Sequence, residues 1–149
     1  MKRSVLWSAL VLGLLAAGCG GSSGGGGGGT SSLPASSPFD VGPRAAESPV
    51  NEGLAATGEQ LFKSKTCSTC HGWGVKITGP DLKGVTSRRT AQWMQAWIQH
   101  PDVMTKQDPI AHELLAKYAV QMPNLNIKED EAQALIEFLK KKDKDLAAK

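Results

Sequence analysis

Cys67-Ser68-Thr69-Cys70-His71 sits near the middle of a chain of 149 residues, and its reading decides the rest. Two cysteines three apart, with a histidine directly after them, put two thiols and an imidazole on one short stretch of backbone. A disulfide framework needs an even set of cysteines, and the chain holds three, the third being Cys19 far upstream. A four-thiolate zinc site needs a second pair. A thioredoxin-like redox motif belongs beside a βαβ unit, and no strand pattern occurs here.

The spacing that remains is Cys-x-x-Cys-His, the attachment sequence of a c-type haem. The two sulfurs can form thioethers along one edge of a porphyrin, and His71 can then present its imidazole to the iron. One covalently held haem (heme c) is therefore the expected cofactor, with Cys67, Cys70 and His71 binding it and His71 ligating its iron.

Outward from the motif the pattern is helical. Thr57 with Gln60 three residues on reads as a capping box, opening a short helix that carries Leu61 and Phe62 toward Cys67. Thr90 opens a second helix with Trp93, Met94, Trp97 and Ile98 on one face, ended by Pro101. Asp108-Pro109 is a cap followed by proline at the first helical position, and Ile110, Leu114, Leu115 and Tyr118 form the third stripe. Asn126 with Glu129 caps the last helix. Its acids, Glu129, Asp130 and Glu131, come first and Lys140, Lys141 and Lys142 come late, as the helix dipole favours. Residues 72–90, with Gly72, Gly74, Gly79, Pro80 and Gly84, read as an extended loop. The expected fold is an all-α domain over residues 53–149, about four short helices around the covalently bound haem. The porphyrin supplies the interior that so few residues could not build alone.

The sixth iron ligand has five candidates outside the leader: Met94, Met104, Met122, His100 and His112. Met122 is preferred because it lies in a loop between the third and fourth helices, where Pro123 fixes the backbone. Met94 lies on an apolar helix face, where methionine usually fills core. His112 stands beside Glu113 on a helix, and His100 precedes Pro101 at a helix end; both stay open as ligands. Six-coordinate iron held by His71 and Met122 would suit one-electron transfer and leave no vacant position for oxygen chemistry.

Residues 54–142 closely resemble the class I, single-haem cytochrome c family. Cys67, Cys70 and His71 match its attachment site and proximal ligand. Gly79-Pro80-Asp81-Leu82 resembles its Gly-Pro-x-Leu loop, which implies that the Pro80 carbonyl accepts a hydrogen bond from His71 Nδ1. Gln121-Met122-Pro123 resembles its distal Met-Pro loop, and Phe62 with Leu135 and Phe138 resembles the contact between its first and last helices. The same likeness implies a tryptophan or arginine at a haem propionate, with Arg88, Arg89, Trp93 and Trp97 as unranked candidates. The function so implied is that of an electron carrier rather than an enzyme. The alternative is a haem-based sensor or peroxidase-like protein in which Met122 dissociates.

Before the helical region lie two segments of different character. Lys2 and Arg3 precede an uncharged, largely apolar stretch over residues 5–18, which as a helix would measure about 21 Å against a hydrocarbon core of ~30 Å. Residues 1–18 therefore read as a signal peptide, and the chain is expected to be exported. Leu15-Ala16-Ala17-Gly18-Cys19 resembles a bacterial lipoprotein box, which implies a lipid on Cys19; cleavage by the ordinary signal peptidase near Ala17 is the alternative. Residues 19–52, rich in Gly, Ser and Pro with six glycines at 24–29, read as a lipidated cysteine and a disordered linker of roughly 30 Å reach.

The formal charge of +3 is too small for phosphate neutralisation, so nucleic acid is not an expected partner. Charge is uneven, however. Between Leu61 and Lys106 stand Lys63, Lys65, Lys76, Lys83, Arg88, Arg89 and Lys106 against only Asp81 and Asp102. A monomeric head, docking by this basic rim on redox proteins and held by its lipid to a membrane on the periplasmic or outer side, is the expected arrangement.

Overall fold

The computed structural model describes residues 37–149. Six α-helices run through them: α1 (Glu52–Ser64), α2 (Val85–Arg88), α3 (Ala91–Gln99), α4 (Pro101–Gln107), α5 (Pro109–Tyr118) and α6 (Glu129–Ala147). Among the described residues the extended pairing amounts to one isolated antiparallel bridge, His71 with Lys76. The fold is all-α, as the sequence pattern requires.

Helices α1 and α6 form the principal packing. Gly58 permits their close approach: a Cβ there would stand 2.0 Å from the Ala134 carbonyl oxygen. Phe62 of α1 meets Phe138 of α6 at 5.3 Å between ring centroids, and Trp73 closes the cluster at 5.9 Å from Phe62 and 6.0 Å from Phe138. Leu135 and Leu139 are buried beside them. Aromatic pairs at these separations add to the area they remove from water.

Two of the helix starts follow their local signals. Thr90 Oγ1 accepts from Trp93 N at 3.1 Å to open α3, and Asp108 Oδ1 accepts from Ala111 N at 2.8 Å to open α5. Elsewhere the boundaries move. α1 begins at Glu52, capped by Asn51 Oδ1 on Leu54 N at 3.1 Å, and Thr57 lies inside the helix with its hydroxyl turned back on Gly53 O. The reason is a remote contact, since Asn51 N donates to Glu137 Oε2 of α6 at 2.7 Å. Asn126 does not cap α6: it adopts a left-handed φ of 52°, and the helix opens at Lys128, whose N–H donates to Glu131 Oε2 at 2.9 Å.

Two helices lie beyond the four expected. Pro101 both stops α3 and occupies the first position of α4, where its missing N–H costs nothing. α2 is a single turn within the loop over residues 72–90. Asp143 of α6 accepts from Gly84 N at 2.6 Å, Thr86 N at 3.0 Å and Thr86 Oγ1 at 2.7 Å, which satisfies the turn's free donors.

The linker expectation also changes at its C-terminal part. Residues 37–51 pack on the helices with Ala45 and Ser37 buried. Ser37 Oγ donates to the Asp108 carboxylate, and Ala45 N donates to Arg89 O at 3.0 Å. Lys140, only 4% exposed, gives its three protons to Ser48 Oγ at 2.8 Å, Pro49 O at 2.7 Å and Glu137 Oε1 at 2.8 Å. The folded unit thus starts well before residue 53. The expected signal peptide, Cys19 and the glycine run lie outside the described residues.

Candidate haem site

α1 ends at Ser64 with Lys65 as its cap, and Thr66 takes a left-handed φ of 60°, which turns the chain into a short 3-10 helix over Cys67–Thr69. Cys70 N and His71 N both donate to Cys67 O, at 3.2 and 3.0 Å. This knot sets both thiols and the imidazole on one turn. Cys67 and Cys70 are free and half-buried, and burial pushes the Cys67 thiol above its ordinary value.

Cys67 and His71 line a cavity of about 380 Å³. Together with Cys70 they also line an adjoining cavity of about 170 Å³. The walls are chiefly apolar, from Leu82, Met94, Ile98, Leu125 and Leu135 around the larger space. Met122 lines both cavities, as do Pro80 and Trp97.

His71 is held in one tautomer. Its Nδ1 lies 2.9 Å from the Pro80 carbonyl, an acceptor only, so Nδ1 carries the proton and Nε2 keeps its lone pair for a metal. Gly79 makes this orientation possible: a Cβ there would stand 2.7 Å from His71 Cε1 and 3.1 Å from Nδ1. Gly79 N donates to Cys70 O at 2.8 Å, which ties the loop back to the motif.

The Met122 loop is pinned by α4. Thr105 Oγ1 donates to Gln121 Oε1 at 3.1 Å, and Asn124 Nδ2 donates to Asp102 Oδ1 at 3.1 Å. Of the alternative ligands, Met94 is buried on the larger cavity's wall. Met104, His100 and His112 line neither cavity, and His112 Nδ1 is engaged with Thr105 O at 3.1 Å. The structure therefore brings together Cys67, Cys70, His71, Pro80 and Met122.

Arg88, Arg89, Trp93 and Trp97 all line the larger cavity. Trp93 Nε1 is committed to Asp108 Oδ1 at 3.1 Å, and Arg88 Nη1 donates to Lys83 O at 2.7 Å. Trp97 stacks on Trp93 at 5.6 Å with 9° between the planes, and the Arg89 guanidinium lies 5.1 Å from the Trp93 ring centroid. Sequence reading found Asp108 as a helix cap but not as the partner of Trp93. No local signal marks a bond of that kind.

Comparison with known proteins gives these features their setting. The family model described as cytochrome c matches residues 55–143, more than half of the chain. The chain belongs to the cytochrome c family. Cytochrome c-551 of Ectopseudomonas mendocina is 52% identical over 33 residues, 22% of this chain and 40% of that protein. Cytochrome c-551 of Stutzerimonas stutzeri is 51% identical over 35 residues, 24% of this chain and 34% of that protein. These matches span less than half the length of either curated relative. Among solved structures, a cytochrome c from Rhodothermus marinus superposes with a TM-score of 0.62 at 29% identity, covering 68% of this chain and 95% of that one.

Membership in the cytochrome c family brings covalently bound haem c with iron. The residues present fit that group. Two free thiols border an apolar cavity, an imidazole there keeps its Nε2 lone pair, and a glycine leaves room for that ring. Among the described residues, no group of three His, Cys, Asp or Glu side chains is placed to hold a metal ion by itself.

Proposed function

We propose that this cytochrome c is an extracytoplasmic one-electron carrier, with Cys67 and Cys70 bonded to the haem and His71 and Met122 as the axial ligands of its iron. One observation carries the reading: His71, its Nδ1 fixed by Pro80, and the Met122 thioether line the same apolar cavities as Cys67. The haem supplies reversible one-electron oxidation and reduction when bound. The chain's own residues do the rest. The Pro80 carbonyl draws on the Nδ1 proton and makes His71 Nε2 a stronger donor. Leu82, Ile98 and Leu135 keep water from the cavity, and Pro123 with the Gln121 and Asn124 bonds keeps the methionine loop in place. That pinned loop supports a carrier over a sensor whose methionine leaves.

No substrate is transformed in this scheme, and the partners are redox proteins. Lys83, Arg88, Arg89 and Lys117 border the larger cavity with Asp81 as the one acid among its lining residues, which suits docking on an acidic patch. Residues 1–18 direct export, and a lipid on Cys19 holds the head to a membrane facing the periplasm or cell exterior. No helix of the described residues is long and apolar enough to cross one. The test is a pair of absorption spectra, reduced and oxidised, for protein matured in the periplasm. The wild type should show the iron–thioether band near the red in the oxidised form, and Met122→Ala should lose it while keeping its haem. A band that persists in Met122→Ala would reject the proposed ligand.

A further inference from the structure

Three consecutive residues, from the last of α2 to the cap of α3, are gripped by the segment over residues 37–51. Arg44 Nη1 donates to Arg88 O at 3.0 Å, Ala45 N donates to Arg89 O at 3.0 Å, and Thr90 N donates to Asp40 Oδ1 at 2.7 Å. The side chain so fixed is Arg89, on the cavity wall and over the Trp93 ring. Its Nη1 lies 3.5 Å from Asp40 Oδ2, with side chains only 17% and 5% exposed, so the pair interacts at reduced dielectric. Asp40 is shared, since Arg44 Nη1 reaches the same oxygen at 2.9 Å. A buried carboxylate with one backbone donor and two guanidiniums is a built feature, in a segment whose composition reads as linker.

We propose that Asp40 is a positioning residue for the haem site: it holds the Arg89 guanidinium against Trp93 on the cavity wall and so sets how strongly the site favours the reduced state. This rests on the reading that haem occupies this cavity. Reduction adds one negative charge to the site, and a cation on its wall favours that state. Asp40 draws Arg89 to one place and offsets part of its charge. Removing the carboxylate charge leaves Arg89 free to face the anionic edge of the haem, and both changes favour reduction. Asparagine at position 40 keeps an Oδ1 for Thr90 N, so the backbone grip survives while the field changes.

The experiment is a redox titration of the haem-bearing full chain against a mediator of known potential. Asp40→Asn should shift the equilibrium toward reduced protein by about tenfold, which is 59 mV for a one-electron couple. In an Arg89→Gln background the same change should shift it less than about threefold, the coupling that a double-mutant cycle isolates. Asp40→Glu, which restores the charge, should return the wild-type ratio to within about twofold. Thermal midpoints of each holoprotein are recorded alongside. A lower midpoint with an unchanged ratio, or an equal shift in both backgrounds, overturns the proposal. If Asp40→Asn accumulates no haem, Arg44→Gln replaces it: Arg89 is then the one guanidinium left on Asp40, and the ratio should move toward oxidised protein. No shift, or a shift toward reduced protein, overturns the proposal. A haem-free wild type would instead remove the reading beneath it, whereas normal wild-type spectra with an unmoved Asp40→Asn ratio remove only the role of Asp40.

Discussion

Gly79→Ala isolates the fixing of His71 from everything else in the site. Gly79 has no left-handed φ, so alanine meets no penalty of that kind there. What it meets is the imidazole: its Cβ would stand 2.7 Å from Cε1, where ordinary contact begins at 3.4 Å. The ring must yield by several tenths of an ångström, yet its Nδ1 is already fixed at 2.9 Å from Pro80 O. Stretching or breaking that bond costs about 0.5–1.5 kcal/mol. Forcing an extra methyl into a packed place costs about 1–3 kcal/mol more. The expected loss is therefore roughly 1.5–4.5 kcal/mol for the haem-bearing protein, read by denaturant unfolding, with a lowered reduction potential or altered spectrum from the misplaced ligand. Gly53→Ala is the control. Its Cβ would meet nothing nearer than Asn51 Oδ1 at 3.5 Å, and it should stabilise α1 by about 0.5–1 kcal/mol. If Gly79→Ala matched the wild type in stability and spectrum, the claim that this loop fixes His71 would be refuted.

Other residues yield equally direct expectations. Gly58→Ala should destabilise the fold by at least about 3 kcal/mol in chemical denaturation, because the clash at 2.0 Å is with the Ala134 backbone and only separation of α1 from α6 relieves it. Lys140→Met should cost about 2–4 kcal/mol by the same assay, since it takes the cation from Glu137 Oε1 and the donor from the Pro49 carbonyl; a neutral result would mean that the segment over residues 48–51 is not held by this ammonium. The Glu131 carboxyl is held below its ordinary 4.5, chiefly by the Lys128 N–H and then by Lys65. Its contribution to stability is present above that value and fades as pH falls through the lower folded one. Glu131→Gln should therefore flatten the acid limb of a stability–pH curve below about pH 4.5, and an unchanged limb would contradict it.

What was legible in the sequence was what chemistry or local geometry forces into adjacent positions. The thioether attachment and iron ligation proposed for Cys67, Cys70 and His71 need those residues at fixed spacing, so the motif shows on inspection. The caps at Thr90 and Asp108 act within three residues and were equally plain. Features that depend on distant partners were hidden. α1 starts early because Glu137 holds Asn51, and α2 exists because Asp143 receives its free N–H groups. α4 was concealed because Pro101 reads as a stop, although it also serves as a start. Residues 37–51 have the composition of a tether, and only long-range bonds from Ser37, Asp40 and Ala45 show that they belong to the fold. In the site, the loop setting of Met122 and Pro123 is visible in the sequence, whereas the bonds from α4 that pin that loop join residues 16 and 22 positions apart and leave no local signal.

Covalent haem attachment is decided by mass analysis of the tryptic peptide that carries Cys67 and Cys70, taken from protein matured in the periplasm. One haem should be found added to that peptide, with neither sulfur open to a thiol reagent. A folded, colourless protein whose Cys67 and Cys70 both react with that reagent would contradict it.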